Sequence, residues 1–379
     1  MAQPEGWKFA FRALRSRNYR LFFSGQCISL IGTWITRVAT SWLVYRLTKS
    51  PFLLGVTGFA GQIPLFFLAP VAGVWVDRWN RHRVLVVTQI LSMLQSLALA
   101  ALTLAGVITV RDVILLMLFQ GIVNAFDMPA RQAFVVQMVD RADLSNAIAL
   151  NSSMVNVARL AGPALAGVII AGFGEGICFL ADGISYLAVI VSLLAMRVPA
   201  QPARSRAKQV WHELAEGWKY VAGSVPIRSI LLLIGVISLV GLPYITLMPV
   251  FASDILHGGP NTMGLLMAAV GVGALVSAVR LAVRKSVLGL GRIIPLSAGI
   301  FGITLIAFSF SRVLWLSVML LLFTGFGFIQ NLAAGNTILQ TIVEESKRGR
   351  VMAYYSMAFQ GVAPFGSLLA GILAAQLGA

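Results

Sequence analysis

The sequence predicts an all-α integral membrane protein made of two pseudo-symmetric six-helix bundles, and three observations point to this fold. Hydrophobic residues fill 58% of the 379 positions and the mean hydropathy is +0.87, which is more apolar surface than a soluble domain can bury. The apolar residues form stretches of about 20 residues or more, long enough to cross a bilayer as helices. The sequences around Pro163 and Pro364, which lie 201 positions apart, also resemble each other, which indicates an internal repeat.

The apolar stretches are continuous, whereas the strands of a membrane barrel would alternate, so helices are expected. We predict eleven spans, at 21–45, 52–76, 84–106, 113–138, 145–171, 177–197, 226–252, 262–284, 288–310, 313–340 and 350–377. Two bundles of six helices need one more, so the twelfth span is expected to be missing from this sequence.

A polar segment at 198–225 separates six predicted spans from five. Apolar residues recur at helical spacing from Val210 to Val221, which favours an amphipathic helix in the cytoplasmic headgroup layer. A solvated linker helix is the alternative. The predicted organisation is therefore an N-terminal six-helix bundle at 1–197, this linker, and a C-terminal bundle at 226–379.

Basic residues alternate between loops. The N-terminal segment and every second loop hold 23 Lys and Arg residues, whereas the opposite loops hold only Arg46, Lys49, Arg111 and Arg312. By the positive-inside rule the N-terminus is cytoplasmic, and the bacterial inner membrane is the expected location. The net charge of +16 is therefore explained by the basic loops on one side of the membrane, and no nucleic-acid partner is expected.

One short turn, from Gly73 to Arg83, concentrates charge between two apolar spans. It resembles the signature of the major facilitator superfamily, which reads Gly, any, Leu, Ala, Asp, Arg, any, Gly, Arg, and Lys or Arg. The matching positions are Gly73, Val76, Asp77, Arg78 and Arg81. Asn80 replaces the second glycine, and asparagine tolerates the left-handed backbone that glycine would supply.

Four weaker stretches make the chain resemble the enterobactin exporters and drug-efflux proteins of this superfamily. They lie at 42–51, 129–132, 159–164 and 348–351. The resemblance implies a secondary transporter, not an enzyme, that exports amphipathic small molecules such as a siderophore or drug by alternating access, with proton antiport. An importer, a lipid flippase, or a receptor or scaffold without turnover remain alternatives. A monomer in contact with membrane lipid is expected, and no cofactor.

The resemblance also implies that Asp77 faces the cytoplasmic N-terminus of the eleventh span. A helix N-terminus stabilises a carboxylate by about 0.3–2 kcal/mol, so this contact would act as a latch that opposes inward opening. The predicted latch residues are Gly73, Asp77, Arg78, Arg81, Arg348 and Arg350. Alternatively, these charges only solvate a tight turn and set topology.

Apart from the basic residues already assigned to loops and span ends, four charged residues lie inside predicted spans, where each costs about 2.5–3.5 kcal/mol at a helix centre. They are Arg37, Asp127, Arg159 and Asp182. Spans one and six pack together in the superfamily, so we expect a structural ion pair between Arg37 and Asp182. Asp127 lies at the centre of span four, which makes it the candidate for proton coupling. The alternative is an ion pair with Arg131, four residues further, or with Arg159.

The fifth span contains Gly162 and Pro163, which indicate either close helix packing or a hinge. The second half offers amides and aromatic rings without buried charges, a composition that suits a large and partly apolar ligand. The candidates for a substrate cavity are Gln330, Asn331, Asn336, Tyr354 and Phe359. The three histidines and two cysteines are too dispersed to predict a metal site.

Overall fold

The computed structural model describes residues 11–197, 210–284 and 286–378, and these residues are helical apart from short turns. Most of the predicted polar linker, at 198–209, lies outside them. In the first half the helices are α1 (Arg17–Thr48), α2 (Pro51–Arg78), α3 (Arg81–Leu104), α4 (Val110–Met138), α5 (Leu144–Phe173) and α6 (Glu175–Leu194). A 3₁₀ turn at Arg12–Arg15 precedes them.

The second half opens with the predicted amphipathic helix. Its helices are α7 (Val210–Gly223), α8 (Val225–Val236), α9 (Tyr244–Val250), α10 (Pro260–Ala282), α11 (Leu290–Phe310), α12 (Leu314–Ile342), α13 (Glu345–Ser356) and α14 (Ala363–Leu377). Within the described residues, eleven helical segments are long and apolar enough to cross a membrane. The all-α membrane fold predicted from the sequence is therefore confirmed.

Two of these segments, the seventh span (Val225–Ile255) and the eleventh span (Lys347–Leu377), are not uniform α-helices. The seventh span contains π turns at Ile237–Gly241 and Phe251–Ile255, and the eleventh contains one at Met357–Gly361. The sequence predicted these spans as helices but did not reveal the π turns within them. Proline lacks a backbone N–H, so Pro243 and Pro364, which follow two of these turns, each remove one hydrogen bond from the backbone ladder there.

Helix starts depend on local capping. The side chain of Asn80 accepts a hydrogen bond from the backbone N–H of Arg83 at 3.2 Å, and its own φ is −69°. This corrects the expectation of a left-handed residue in the turn after α2, because Asn80 is the N-cap of α3 and has extended backbone. Thr109 and Asp112 form a reciprocal capping box that starts α4.

The chain divides into two compact units. Unit 1 contains residues 1–40 and 67–205, and unit 2 contains residues 41–66 and 206–379. The predicted boundaries of the two bundles stay a prediction.

In unit 1, helices α1 and α6 approach closely at two glycines. A Cβ added to Gly25 would lie 2.8 Å from Ser192 Oγ, and one added to Gly32 would lie 2.7 Å from Asp182 Oδ1. A buried cluster that includes Tyr19, Phe22 and Phe134 fills the end of this unit near the start of α1. These contacts fix the register in which α1 presents its polar residues to α6.

In unit 2, glycines again lie at close helix crossings. A Cβ on Gly371 of α14 would lie 2.8 Å from the Cα of Gly55 in α2, and one on Gly327 of α12 would lie 2.8 Å from Ser297 O in α11. A Cβ at either position would meet backbone atoms, so no side chain could move aside to accommodate it. Tyr45, at the end of α1, donates a hydrogen bond from its hydroxyl to the carboxylate of Asp254.

Candidate functional site

Helix α3 carries a polar face through the interior of unit 1. Five of its buried residues are polar, and we call them the α3 polar stripe: Thr88, Gln89, Ser92, Gln95 and Ser96. Such groups are stable in an apolar interior only when they find partners. Two of those partners are the buried carboxylates Asp127 and Asp182.

At one end of the stripe, Asp127 lies in a network of charged and polar side chains. Its Oδ1 accepts hydrogen bonds from Thr88 Oγ1 and from Gln89 Nε2, each at 2.8 Å. Its Oδ2 accepts from the guanidinium of Arg131, which also donates to Gln26 Oε1 at 2.7 Å. Asp127 is only 4% exposed, and Arg131 supplies a counter-charge beside it. The ion pair with Arg131, which the sequence left open as the alternative to proton coupling, is therefore present.

At the other end of the stripe, Asp182 of α6 has a different environment. Its Oδ2 accepts a hydrogen bond from Ser96 Oγ at 2.7 Å, and the side chain is 1% exposed. Thr36 of α1 also lies beside this carboxylate. The contacts of Asp182 are therefore with hydroxyl groups, and the predicted ion pair with Arg37 stays a prediction.

The two intramembrane arginines of unit 1 lie at one tryptophan. The guanidinium carbon of Arg37 is 4.7 Å from the ring centroid of Trp34, and that of Arg159 is 5.6 Å from it. Both distances are typical of cation–π contacts. Three residues after Arg159, Gly162 packs against the backbone and side chain of Trp34. Gly162 therefore lies at a close contact between α5 and α1. The hinge role of Gly162 and Pro163 stays a prediction.

The charged turn after α2 is lined by aromatic rings. Trp75 and Trp79 stack on Phe126 of α4 at centroid distances of 6.1 and 6.3 Å. His82 Nε2 lies 2.8 Å from the carbonyl oxygen of Leu193 at the end of α6. Trp75, which replaces the leucine of the superfamily signature, therefore anchors the turn to α4.

The predicted latch residues are divided between the two units. Gly73, Asp77, Arg78 and Arg81 belong to unit 1, and Arg348 and Arg350 belong to unit 2. The side chain of Asp77 lies outside what the structure describes. A Cβ on Gly73 would meet nothing within 4 Å, so close packing does not account for a glycine there. The latch stays a prediction.

Helix α7 packs on the N-terminal end of the eleventh span. The ring of Trp218 lies 6.0 Å from that of Tyr354, and Lys347 Nζ lies 4.5 Å from the ring centroid of Tyr220. A Cβ on Gly217 would lie 3.1 Å from Arg350 Cβ. Trp218 is nevertheless 60% exposed, which suits a helix at a membrane surface.

The cavity candidates of the second half fall into two groups. Gln330 and Asn331 are each 2% exposed. Ser277 Oγ donates to Gln330 Oε1 at 3.1 Å, and Asn331 Nδ2 donates to Ile294 O at 3.0 Å. These two amides bond neighbouring helices, so in this structure α12 uses them for packing. The partly exposed candidates are Asn336, Tyr354 and Phe359, and the substrate contacts of all five stay a prediction.

The sequence reasoning missed the α3 polar stripe and Gln26. The stripe was detectable, because Thr88, Ser92 and Ser96 recur every four residues and so share one face of an otherwise apolar span. Gln26 carries no such pattern. Among the described residues no group of three His, Cys, Asp or Glu side chains could hold a metal ion.

Comparison with known proteins assigns the family. The transmembrane secretion effector family matches residues 9–379. The staphyloferrin A transporter of Staphylococcus aureus is 26% identical over 367 residues, covering 95% of this chain and 90% of that protein. The multidrug efflux pump Tap of Mycolicibacterium fortuitum is 25% identical over 356 residues, which cover 92% of this chain and 87% of that protein.

Solved structures support the fold. The nucleoside transporter NupG superposes with a TM-score of 0.70 at 15% identity, covering 96% of this chain and 90% of NupG. An inward-facing bacterial homologue of the iron transporter ferroportin superposes with a TM-score of 0.68 at 16% identity, and the match covers 95% of this chain and 97% of the homologue. The chain is a multi-pass protein of a bacterial membrane, and it belongs to the transmembrane secretion effector family, a group of major facilitator superfamily transporters, not enzymes, with siderophore and drug-efflux relatives.

Proposed function

We propose that this transporter exports amphipathic small molecules, siderophores or drugs, across the bacterial inner membrane by alternating access, in exchange for protons. The observation that carries the proposal is the family match together with the relatives that align over most of the chain. One of these is named a siderophore transporter and another a multidrug efflux pump. A third, macrolide efflux protein A of Streptococcus pyogenes, is 21% identical over 262 residues.

The arrangement of Arg37, Trp34 and Arg159 supports an amphipathic substrate. An indole ring offers a flat apolar surface, and the two guanidinium groups near it can donate hydrogen bonds to carboxylate or other anionic oxygens. All three residues lie in the membrane-spanning helices α1 and α5. A ligand that combines an aromatic or aliphatic body with polar oxygens would match this group better than a compact sugar.

Alternating access needs contacts that form in one state and break in the other. In the proposed mechanism Asp77 supplies such a contact at the N-terminus of α13, near Arg348, and so opposes opening to the cytoplasm. The cytoplasmic N-terminus that this mechanism requires is supported by the distribution of 23 basic residues against four.

Transport in everted membrane vesicles tests the proposed function. With respiration as the energy source, we expect accumulation of ethidium, erythromycin or staphyloferrin A only in vesicles that contain the protein, and loss of accumulation with a protonophore. The Trp34→Ala variant should lower the rate about tenfold, because loss of stacking and of the cation–π contacts removes roughly 1–2 kcal/mol of ligand binding.

The matched control is Trp315→Ala, since Trp315 is 70% exposed on α12, and it should transport as the wild type does. Absence of accumulation of all three compounds would contradict export of this substrate class. Accumulation that resists the protonophore would contradict proton antiport.

A further inference from the structure

Asp182 and Asp127 are both buried carboxylates in unit 1, and of the two the described residues show an ion pair at Asp127. Arg131 binds Asp127 and Gln26, and the guanidinium of Arg37 lies over Trp34. Among the described residues, every hydrogen-bond donor to the Asp182 carboxylate is a hydroxyl, with Ser96 at 2.7 Å. A carboxylate that is buried without a cation is costly as a charge and far less costly when it carries a proton.

The surroundings of Asp182 leave room for that proton. Within the described residues, Asp182 Oδ1 and Thr36 Oγ1 are buried and have no other hydrogen-bond partner, and Thr36 lies beside this carboxylate. Oδ1 faces α1 at Gly32, where a Cβ would lie only 2.7 Å away. A hydroxyl both donates and accepts, so Thr36 can donate to Oδ1 of the charged carboxylate and can accept from Oδ1 when it carries a proton.

The titratable and charged groups around Asp182 are few. Tyr186 lies one turn further along α6, and its hydroxyl is placed near Thr33 of α1. Helix α1 contributes Thr36, with Arg37 next in the chain, and α3 contributes only the neutral Gln95 and Ser96. Hydroxyl donors stabilise the charged carboxylate moderately, so both protonation states are accessible.

The α3 polar stripe connects Asp182 to the other end of the unit. Thr88, Ser92 and Ser96 lie four residues apart on one face of α3 and are each at most 4% exposed. Successive hydroxyls along such a face are separated by about 6 Å of helix rise, a gap that one water molecule can bridge with hydrogen bonds. The stripe ends at the network of Asp127 and Arg131, nearer to the first residues of α3.

We propose that Asp182 is the proton-binding site of this transporter and that the α3 polar stripe conducts the proton between Asp182 and the Asp127 end of the helix. The inference rests on the proposed proton antiport and moves the coupling role away from Asp127. In the loading step an O–H bond of hydronium breaks and an O–H bond forms at Oδ1 of Asp182, which leaves neutral water. In the release step the O–H bond at Oδ1 breaks and the proton passes along bridging water and the hydroxyls of Ser96, Ser92 and Thr88, each of which takes up one proton and gives up another. A water molecule at the Asp127 end finally takes up the proton as hydronium.

Infrared difference spectroscopy of the full chain in detergent tests the site without any substrate. We expect a pH-dependent C=O band of a protonated carboxyl group in the wild type and its loss in Asp182→Asn. The band should persist in Asp127→Asn and in Asp112→Asn, a matched control at an exposed helix cap. A band that survives in Asp182→Asn would overturn the proposal.

A second variant covers the case in which Asp182→Asn does not fold. Ser96→Ala removes the hydroxyl that donates to the charged form, so the midpoint of the band should move to higher pH by about one unit. A midpoint equal to that of the wild type would reject Asp182 as the titrating group.

Transport separates this inference from the proposed function. In everted vesicles, the ethidium accumulation that a pH gradient drives should be at least tenfold lower in Asp182→Asn than in the wild type. Transport of ethidium down its own concentration gradient should be unchanged in this variant. Gradient-driven accumulation that persists in this variant would overturn the role of Asp182. If the wild type itself ignores the pH gradient, proton antiport fails and the infrared titration still decides whether Asp182 binds the proton.

Discussion

At the scale of single residues, the Asp127 network shows how a charge is kept inside a membrane protein. The carboxylate uses both oxygens, with partners from α3 and α4, and Arg131 extends the network to Gln26 of α1. Three helices are therefore joined through one ion pair. The i, i+4 spacing of Asp127 and Arg131 was readable from the sequence, but Gln26 was not, because only the folded chain brings position 26 to position 131.

Removal of one member of this pair should cost more than removal of both. Asp127→Ala leaves Arg131 without its counter-charge and should destabilise the protein by about 3 kcal/mol. The double variant Asp127→Leu with Arg131→Met should recover at least half of that loss. Melting temperatures in detergent check both expectations. A double variant as unstable as the sum of the single variants would argue against a coupled pair.

At the scale of helices, positions and types were predictable from apolar length, and the predicted span boundaries fall close to the observed ones. The interruptions were not predictable in the same way. One π turn of the seventh span, Ile237–Gly241, contacts the π turn of the eleventh span, Met357–Gly361, because Ser238 Oγ donates to the carbonyl oxygen of Phe359. Ser238 and Phe359 are 121 positions apart, so no local pattern reveals their pairing.

The crossing of α2 and α14 provides a test at this scale. A Cβ on Gly371 would lie 2.8 Å from Gly55 Cα and 2.9 Å from Pro51 O, so Gly371→Ala should force the helices apart. We expect a fall of several degrees in melting temperature. Gly302→Ala in α11 is the matched control, because a Cβ there meets nothing within 4 Å, and alanine favours a helix by about 1 kcal/mol. Equal behaviour of the two variants would contradict the packing account.

At the scale of the whole molecule, the charge distribution and the helix order predicted the fold and the class of protein, whereas the substrate depends on side-chain arrangement. The clustering of Arg37 and Arg159 at Trp34 requires α1 and α5 to be packed together. The sequence identified both arginines as unusual but assigned them no common position. Intramembrane charges are thus easy to find from sequence, and their partners depend on tertiary structure.

The predicted orientation can be measured on the full chain with cysteines at two loops. In a background with Cys27 and Cys178 replaced by alanine, Arg312→Cys should react with an impermeant maleimide in intact cells. Ser286→Cys should react only after the membrane is permeabilised, because its loop belongs to the basic set that is predicted to be cytoplasmic. The reverse pattern of labelling would show the opposite orientation.

The bond between Ser238 and Phe359 has a geometric consequence. A π turn is a helix that holds one surplus residue, and the surplus can move along the helix by exchanging hydrogen bonds one position at a time. Every side chain that it passes rotates by about 100° around the helix axis, while the two ends of the helix keep their places. Ser238 bonds the carbonyl oxygen of Phe359 inside the π turn of the eleventh span, and this bond favours the present position of the extra residue by about 0.5–1.5 kcal/mol.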